Sequence, residues 1–303
     1  MDELTFTDPD GVEVFYRRWL PDGAPQRTVL VAHGMSEHSG RYDRFAQLLR
    51  SDGAAVFAPD HQGHGRTASA TGPGRTGPSG FDGIIEDVDQ LASLATESVD
   101  TDVPLVLFGH SMGAAIALRY AVVHGDRLDA LILCGTPGGG PEVAELAEGL
   151  RQAVDAGMAD EPVAALDVFN EAFEPARTKF DWLSRDEAEV DAYIADPLCG
   201  DGMPMTYGFL AGFMGAMAGS TEPEGLARIP ASLPTLLITG EQDPASNMAA
   251  GVRDLEAGLR AGHDDVTAIY YPGARHELLN ETNRDEVQGD VTRWIDEHVK
   301  GTK

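Results

Sequence analysis

The stretch that most restricts what this chain can become is Pro104-Leu-Val-Leu-Phe-Gly-His-Ser-Met-Gly-Ala-Ala-Ile-Ala-Leu118. A short apolar run from Leu105 to Phe108 meets Gly109-His110-Ser111-Met112-Gly113 and passes straight into the helix-forming Ala114 to Leu118. The pattern predicts a strand, a tight turn with a serine at its apex, and a helix that starts at once. The two glycines are needed sterically, because on so sharp a turn side chains at 109 and 113 would collide with neighbouring backbone. A bare G-x-S-x-G occurs in many glycine-rich loops; the flanking strand and helix make Ser111 a candidate nucleophile.

The rest of the chain alternates in the same way. Residues 4–7 and 12–20 read as strands, and 28–32, 54–58, 128–134, 235–239 and 266–271 are further apolar runs of strand length. Continuous apolar runs are expected of strands covered on both faces. Helices are predicted over 42–50, with Phe45, Leu48 and Leu49 on one side, and over 84–98, where Ile84, Val88, Leu91 and Ala95 recur at helical spacing. A third is predicted over 284–299, and residues 68–80, rich in Gly, Pro, Ser and Thr, read as a loop. After the hinge-like Gly138-Gly-Gly140 the pattern changes, and amphipathic helical stretches without a convincing strand run to Ser232. The expectation is an α/β protein: a mostly parallel, eight-stranded, doubly wound sheet built from residues 1–136 and 233–303, with 137–232 inserted as a helical cap.

Composition excludes some functions. A formal net charge of −28 over 303 residues repels nucleic acid and anionic membrane surfaces. No apolar run is long enough to cross a bilayer. Met1-Asp-Glu-Leu-Thr-Phe6 lacks the basic and apolar regions of a signal peptide. Cys134 and Cys199, without a secretory cue, read as reduced thiols, and the cytoplasm is the expected compartment. No His/Cys/Asp cluster shows metal-ligand spacing, so neither a metal nor an organic cofactor is expected.

A serine hydroxyl is a poor nucleophile near neutral pH; it needs a base, and the base needs an orienting carboxylate. In strand–turn–helix proteins of this kind they follow in the order Ser, Asp or Glu, His, past the carboxyl ends of later strands. The 235–239 run leads into Gly240-Glu-Gln-Asp-Pro244, which offers Asp243, with Glu241 as the nearest competitor. Asp243-Pro244 is also a common turn starter. The 266–271 run leads into Pro272-Gly-Ala-Arg-His-Glu277, which offers His276. Among nine histidines, His124, His263 and His298 fall on helix ends or surface loops and read as solvated; His276 alone sits in the turn after the last strand. Backbone N–H groups of Met112 and Met35 are placed to donate to a tetrahedral oxyanion.

Five blocks then carry a family resemblance. His33-Gly-Met-Ser-Glu-His-Ser-Gly-Arg-Tyr42, Asp60-His-Gln-Gly-His-Gly65, Gly109-His-Ser-Met-Gly113, Gly240-Glu-Gln-Asp243 and His276-Glu-Leu-Leu-Asn-Glu281 resemble, in order, the monoacylglycerol lipase and lysophospholipase branch of the α/β-hydrolases. The resemblance implies the α/β-hydrolase fold, catalytic Ser111, Asp243 and His276, and Met35 and Met112 as oxyanion donors. It makes His61, Gly63 and His64 a packing turn, and the activity cleavage of monoacylglycerols or similar single-chain acyl esters through an acyl-enzyme. The acidic balance favours a neutral glycerol ester over an acidic lysophospholipid. Two rivals stay open. One is a peptidase or amidase on the same fold, with Glu161, Glu171, Glu174 or Asp196 holding a substrate amine. The other is a hydrolase-like ligand-binding protein.

The cap carries its own signal. Met205, Phe209, Phe213 and Met217 recur every four positions and would form one apolar stripe on a helix. Such a stripe either lines a substrate-binding wall or holds the cap together; Leu166, Phe169 and Phe173 could line the opposite wall. Glycines at 208, 212, 215 and 219 loosen this helix, as a mobile lid requires. Contact with a membrane or micelle is expected to be transient at most, and through this cap.

Overall fold

In the computed structural model, which describes residues 1–99, 103–163 and 167–299, all eight apolar runs become strands of one sheet. They are β1 (Asp2–Thr7), β2 (Glu13–Trp19), β3 (Arg27–Ala32), β4 (Ala54–Pro59), β5 (Leu105–His110), β6 (Ala130–Cys134), β7 (Thr235–Gly240) and β8 (Val266–Tyr271). The order is β1-β2-β4-β3-β5-β6-β7-β8. β2 runs antiparallel to β1 and β4, and every pairing from β4 to β8 is parallel.

Every residue of β3, β4, β5, β6 and β7 is buried, as parallel strands under helices on both faces must be. The main helices are α1 (Asp43–Ser51), α2 (Gly80–Val99), α3 (Met112–His124), α4 (Pro141–Ala153), α5 (Glu187–Ala195), α6 (Tyr207–Thr221), α7 (Ala250–Arg260) and α8 (Arg284–His298). Alternate strand residues serve opposite layers. Val29 and Val31 pack with Phe45 of α1 and Trp294 of α8, whereas Leu30 and Leu107 pack with Ile84 of α2 and Ile116 of α3.

Four local expectations are corrected. The 68–80 loop contains a helical turn at Ala68–Thr71, and α2 starts a turn early, at Gly80, where Phe81 is buried. The segment without strands holds a two-stranded ribbon, Pro162–Val163 against Met205–Thr206, too short for alternation to register. His263 is buried, its Nδ1 2.8 Å from the Leu259 carbonyl that it caps.

Between β6 and β7 lie α4, α5 and α6. α6 packs against α2, α3 and α4. The ring centroids of Phe209 and Phe213 both lie 5.9 Å from that of Phe81. No helix among the described residues is long and apolar enough to cross a membrane.

Candidate active site

Ser111 sits between β5 and α3 with φ 55° and ψ −117°, a region that L side chains rarely occupy. Its N–H donates to the Cys134 carbonyl of β6 at 2.9 Å, and its own carbonyl accepts from Ala114 and Ala115. The glycines on either side are fixed by contact. A Cβ on Gly113 would lie 2.1 Å from the Ala32 carbonyl oxygen, and one on Gly109 would lie 2.1 Å from the Gly113 oxygen. Backbone cannot yield as a side chain can. Gly113→Ala is therefore expected to lower unfolding free energy by about 3 kcal/mol, measured by denaturant unfolding. Gly149→Ala, on a helix face with nothing within 4 Å, should leave stability unchanged or slightly raised.

His276 and Asp243 meet as expected. Asp243 Oδ1 accepts from His276 Nδ1 at 2.9 Å, and the residues are 0% and 2% exposed. The same oxygen accepts from the Ala245 N–H at 2.9 Å, which fixes the carboxylate against the turn that follows it. Because the carboxylate accepts, the Nδ1 carries the hydrogen and Nε2 keeps its lone pair. Glu241, the competitor, instead pairs with Arg253 at 3.5 Å. The imidazole is held between two rings, His110 at 4.8 Å and Trp182 at 4.9 Å between centroids. Trp182 belongs to the turn Asp181–Leu183 and was missed from sequence, where no spacing marks it. Its ring lines the same cleft as Ser111, Met35 and Met112. Among the described residues no hydrogen bond joins Ser111 Oγ to His276; such contacts often close only when substrate binds.

The Met112 N–H lies in the first turn of α3 and has no intrahelical acceptor; neither it nor the Met35 N–H bonds to another described residue. The Met35 loop is braced by Glu37, whose Oε1 accepts from the Gly34 N–H at 2.5 Å and the Tyr42 hydroxyl at 2.7 Å. Burial pushes the Glu37 carboxyl up, but Arg41, His110, His33 and the Tyr42 hydroxyl together outweigh it and hold it below the usual range. Arg41 donates to Glu37 at 2.6 Å and, through two nitrogens at 2.5 and 2.7 Å, to Glu277 beside His276. One guanidinium thus ties the loop after β3 to the loop after β8. The Glu37 and Arg41 spacing was readable in the sequence; Glu277 as their third member was not. Behind the loop, the rings of His33, His61 and His64 pack together, with centroids 4.4 and 5.3 Å from His33, consistent with a packing turn.

The cleft has a volume of about 500 Å³. From α6 it takes Leu210, Phe213, Met214 and Met217. Phe213 and Met217 are therefore in place, but Met205 and Phe209 are not. Met205 sits in the short ribbon, and Phe209 packs on His64 and Phe81. Because α6 is apolar on nearly every side, a period of four could not tell which face meets the cleft. Phe169 lines the opposite wall, Phe173 lies under the Arg275 guanidinium at 4.2 Å, and Leu166 is outside the described residues. Glu161, Glu171, Glu174 and Asp196 do not line the cleft; Glu142 and Asp254, missed from sequence, do. Asp196 binds His38 Nε2 at 3.0 Å, close to Cys199. His38 Nδ1 already accepts from the Gly40 N–H at 3.1 Å, so neither ring nitrogen offers a metal a free lone pair.

A mostly parallel sheet with a serine at the β5–α3 turn, and acid and histidine past β7 and β8, defines an α/β-hydrolase. Residues 23–283 match the family described as serine aminopeptidase, S33. The chain is 32% identical to monoacylglycerol lipase of Mycolicibacterium smegmatis over 98% of both chains. It is 30% identical to monoglyceride lipase of Homo sapiens, covering 96% of this chain and 89% of that one. The structure of a thermostable carboxyl esterase from Bacillus coagulans, in complex with glycerol, superposes with a TM-score of 0.91 at 32% identity over 98% of both chains. The chain belongs to the S33 family, in the monoacylglycerol lipase-like branch of the α/β-hydrolases.

Proposed function

We propose that this carboxylic ester hydrolase cleaves monoacylglycerols and similar single-chain acyl esters through an acyl-enzyme on Ser111. The observation that carries this reading is the buried His276–Asp243 pair, set under Trp182 at an apolar cleft that also holds Ser111. His276 Nε2 takes the Ser111 proton as Oγ attacks the ester carbonyl. The Met35 and Met112 N–H groups receive the oxyanion, and His276 returns the proton to the departing glycerol. Water, deprotonated by the same nitrogen, then releases the fatty acid. Residues 137–232 act as a cap over a core of 1–136 and 233–303. Exposed Leu146 and Val168, 52% and 59% accessible at the cleft, support transient contact with a micelle or membrane through that cap. Two buried free thiols, Cys134 and Cys199, fit a cytoplasmic setting.

Among the described residues no Lys or Arg lines the cleft, and Glu142 and Asp254 do; this favours neutral esters over anionic ones. The same two carboxylates favour a second reading, in which they hold the amine of an aminoacyl amide. A kcat/KM panel separates the two. Monoacylglycerol is expected to exceed its anionic phosphate analogue by at least about tenfold and to exceed aminoacyl amides further. Faster turnover of the amides would replace the first reading with the second.

A further inference from the structure

Ser36, directly after Met35, takes a φ of 54° although it is not a glycine, and it is buried. A single stretch of the cap, 193–203, makes three hydrogen bonds to it. Its carbonyl accepts from the Tyr193 hydroxyl of α5 and from the Gly200 N–H, both at 2.9 Å, and its hydroxyl donates to the Met203 carbonyl at 2.9 Å. We propose that Ser36 is a positioning residue for ester cleavage, held by the cap in a left-handed conformation that aims the Met35 N–H at the oxyanion. The inference rests on the acyl-enzyme reading above, and it gives the cap a part in the chemistry besides covering the cleft.

Three observations carry it. The first is strain. A residue with a Cβ is costly at positive φ, and such a conformation persists only where its surroundings over-determine it. Here the cap does so, engaging both lone pairs of the Ser36 carbonyl and its hydroxyl. The second is that Met35 is pinned from both sides. The Gly34 N–H before it goes to Glu37 at 2.5 Å, the Ser36 carbonyl after it goes to the cap, and the Met35 N–H between them bonds to no other described residue. A backbone donor held free between two fixed neighbours is what a preorganised oxyanion hole requires. The third is separation from substrate. Met35 and Ser111 line the cleft, and neither Ser36 nor Tyr193 does. Tyr193 is buried, its ring 4.8 Å from the Arg41 guanidinium, so its effect on turnover passes through the loop.

Tyr193→Phe tests this, because it removes one donor to Ser36 and keeps the ring. Two quantities are read: kcat and KM for monooleoylglycerol, and the inhibition constant of an alkyl trifluoromethyl ketone. Ser111 Oγ adds to the ketone carbonyl, the hydroxyl proton passes to His276, and the oxygen that becomes anionic enters the oxyanion hole. The variant is expected to lose at least about tenfold in kcat and to bind the ketone more weakly by the same factor. Its KM should stay within about twofold of wild type. Adding Ser36→Gly to Tyr193→Phe should win back at least about threefold in kcat, since glycine stays left-handed unaided. Ser36→Ala, which loses only the bond to Met203, carries the same two measurements should Tyr193→Phe fold poorly. A kcat within about twofold of wild type, a loss confined to KM, or a double variant no faster than Tyr193→Phe overturns the clamp and leaves the acyl-enzyme standing. A wild type that neither cleaves the glyceride nor is inhibited by the ketone overturns the acyl-enzyme reading, and the clamp with it.

Discussion

Replacing Ser111 by alanine is expected to lower kcat/KM for monoacylglycerol by a factor on the order of 10,000 to 1,000,000 while leaving the unfolding transition in place. The fold tolerates the change because Ser111 uses its backbone, not its hydroxyl, to hold the turn: its N–H goes to Cys134 and its carbonyl to α3. Alanine keeps the Cβ, and so the same backbone strain. Activity and stability should therefore separate cleanly, with turnover read on glyceryl and para-nitrophenyl esters. A variant that retained activity within tenfold of wild type would remove Ser111 from the chemistry. A wild type without turnover would favour the ligand-binding alternative.

Asp243→Asn should be almost as damaging, by about 10,000-fold. An amide can donate to Nδ1 and leave the imidazole proton on Nε2, where Ser111 needs a lone pair. The same pair sets the pH profile. Burial pulls the His276 pKa down, but the charge and hydrogen bond of Asp243 push it up, and the net shift is upward from the ordinary 6.5. A general base must be neutral, so the acidic limb of kcat/KM should lie above pH 6.5 in wild type and move down in Asp243→Asn, where burial remains and the charge does not. For stability the sign is the reverse. A raised folded-state pKa stabilises the fold fully below pH 6.5, and that contribution is lost as pH rises through the folded value. Glu241→Gln, on a surface pair with Arg253, should leave the limb where it is. A limb unmoved by Asp243→Asn would mean that another group orients the base.

How far these residues could be read from sequence depended on how local their signals were. Ser111, Asp243 and His276 were legible because each stands just past an apolar run, and strand ends in a parallel sheet point to one edge. The strands themselves were legible because burial on both faces leaves unbroken apolar runs at 28–32, 54–58 and 235–239. What escaped was what depends on a distant surface. α7 went unassigned although Val252, Leu255 and Leu259 are its buried face, since the surrounding Ala, Gly and Arg blur the stripe. Trp182 gained its place only through the fold that sets it on His276. The cleft-facing side of α6 was off by one position at Leu210 and Met214 because a helix apolar all round carries no mark of direction. Glu142 and Asp254 come from two helices far apart in the chain, and no short-range pattern joins them.

β6 and β7 are immediate neighbours, with Leu131 opposite Thr235 and Cys134 opposite Ile238, although residues 135–234 intervene. The chain makes a closed excursion, leaving the sheet and returning beside its point of departure. A hydrogen-bonded ladder has no means of sensing how long that detour is, and lengthening one costs only a slowly growing closure entropy. The reacting groups, anchored to strands on either side, are thereby insulated from the length of the detour. A transplant from another member of the family must keep the hydrogen bonds to Ser36 and the turn at 181–183, whose indole packs on the imidazole and whose Trp182 and Leu183 carbonyls accept from the His276 and Glu277 N–H groups. The same hydrolytic apparatus would then be offered to a different set of esters.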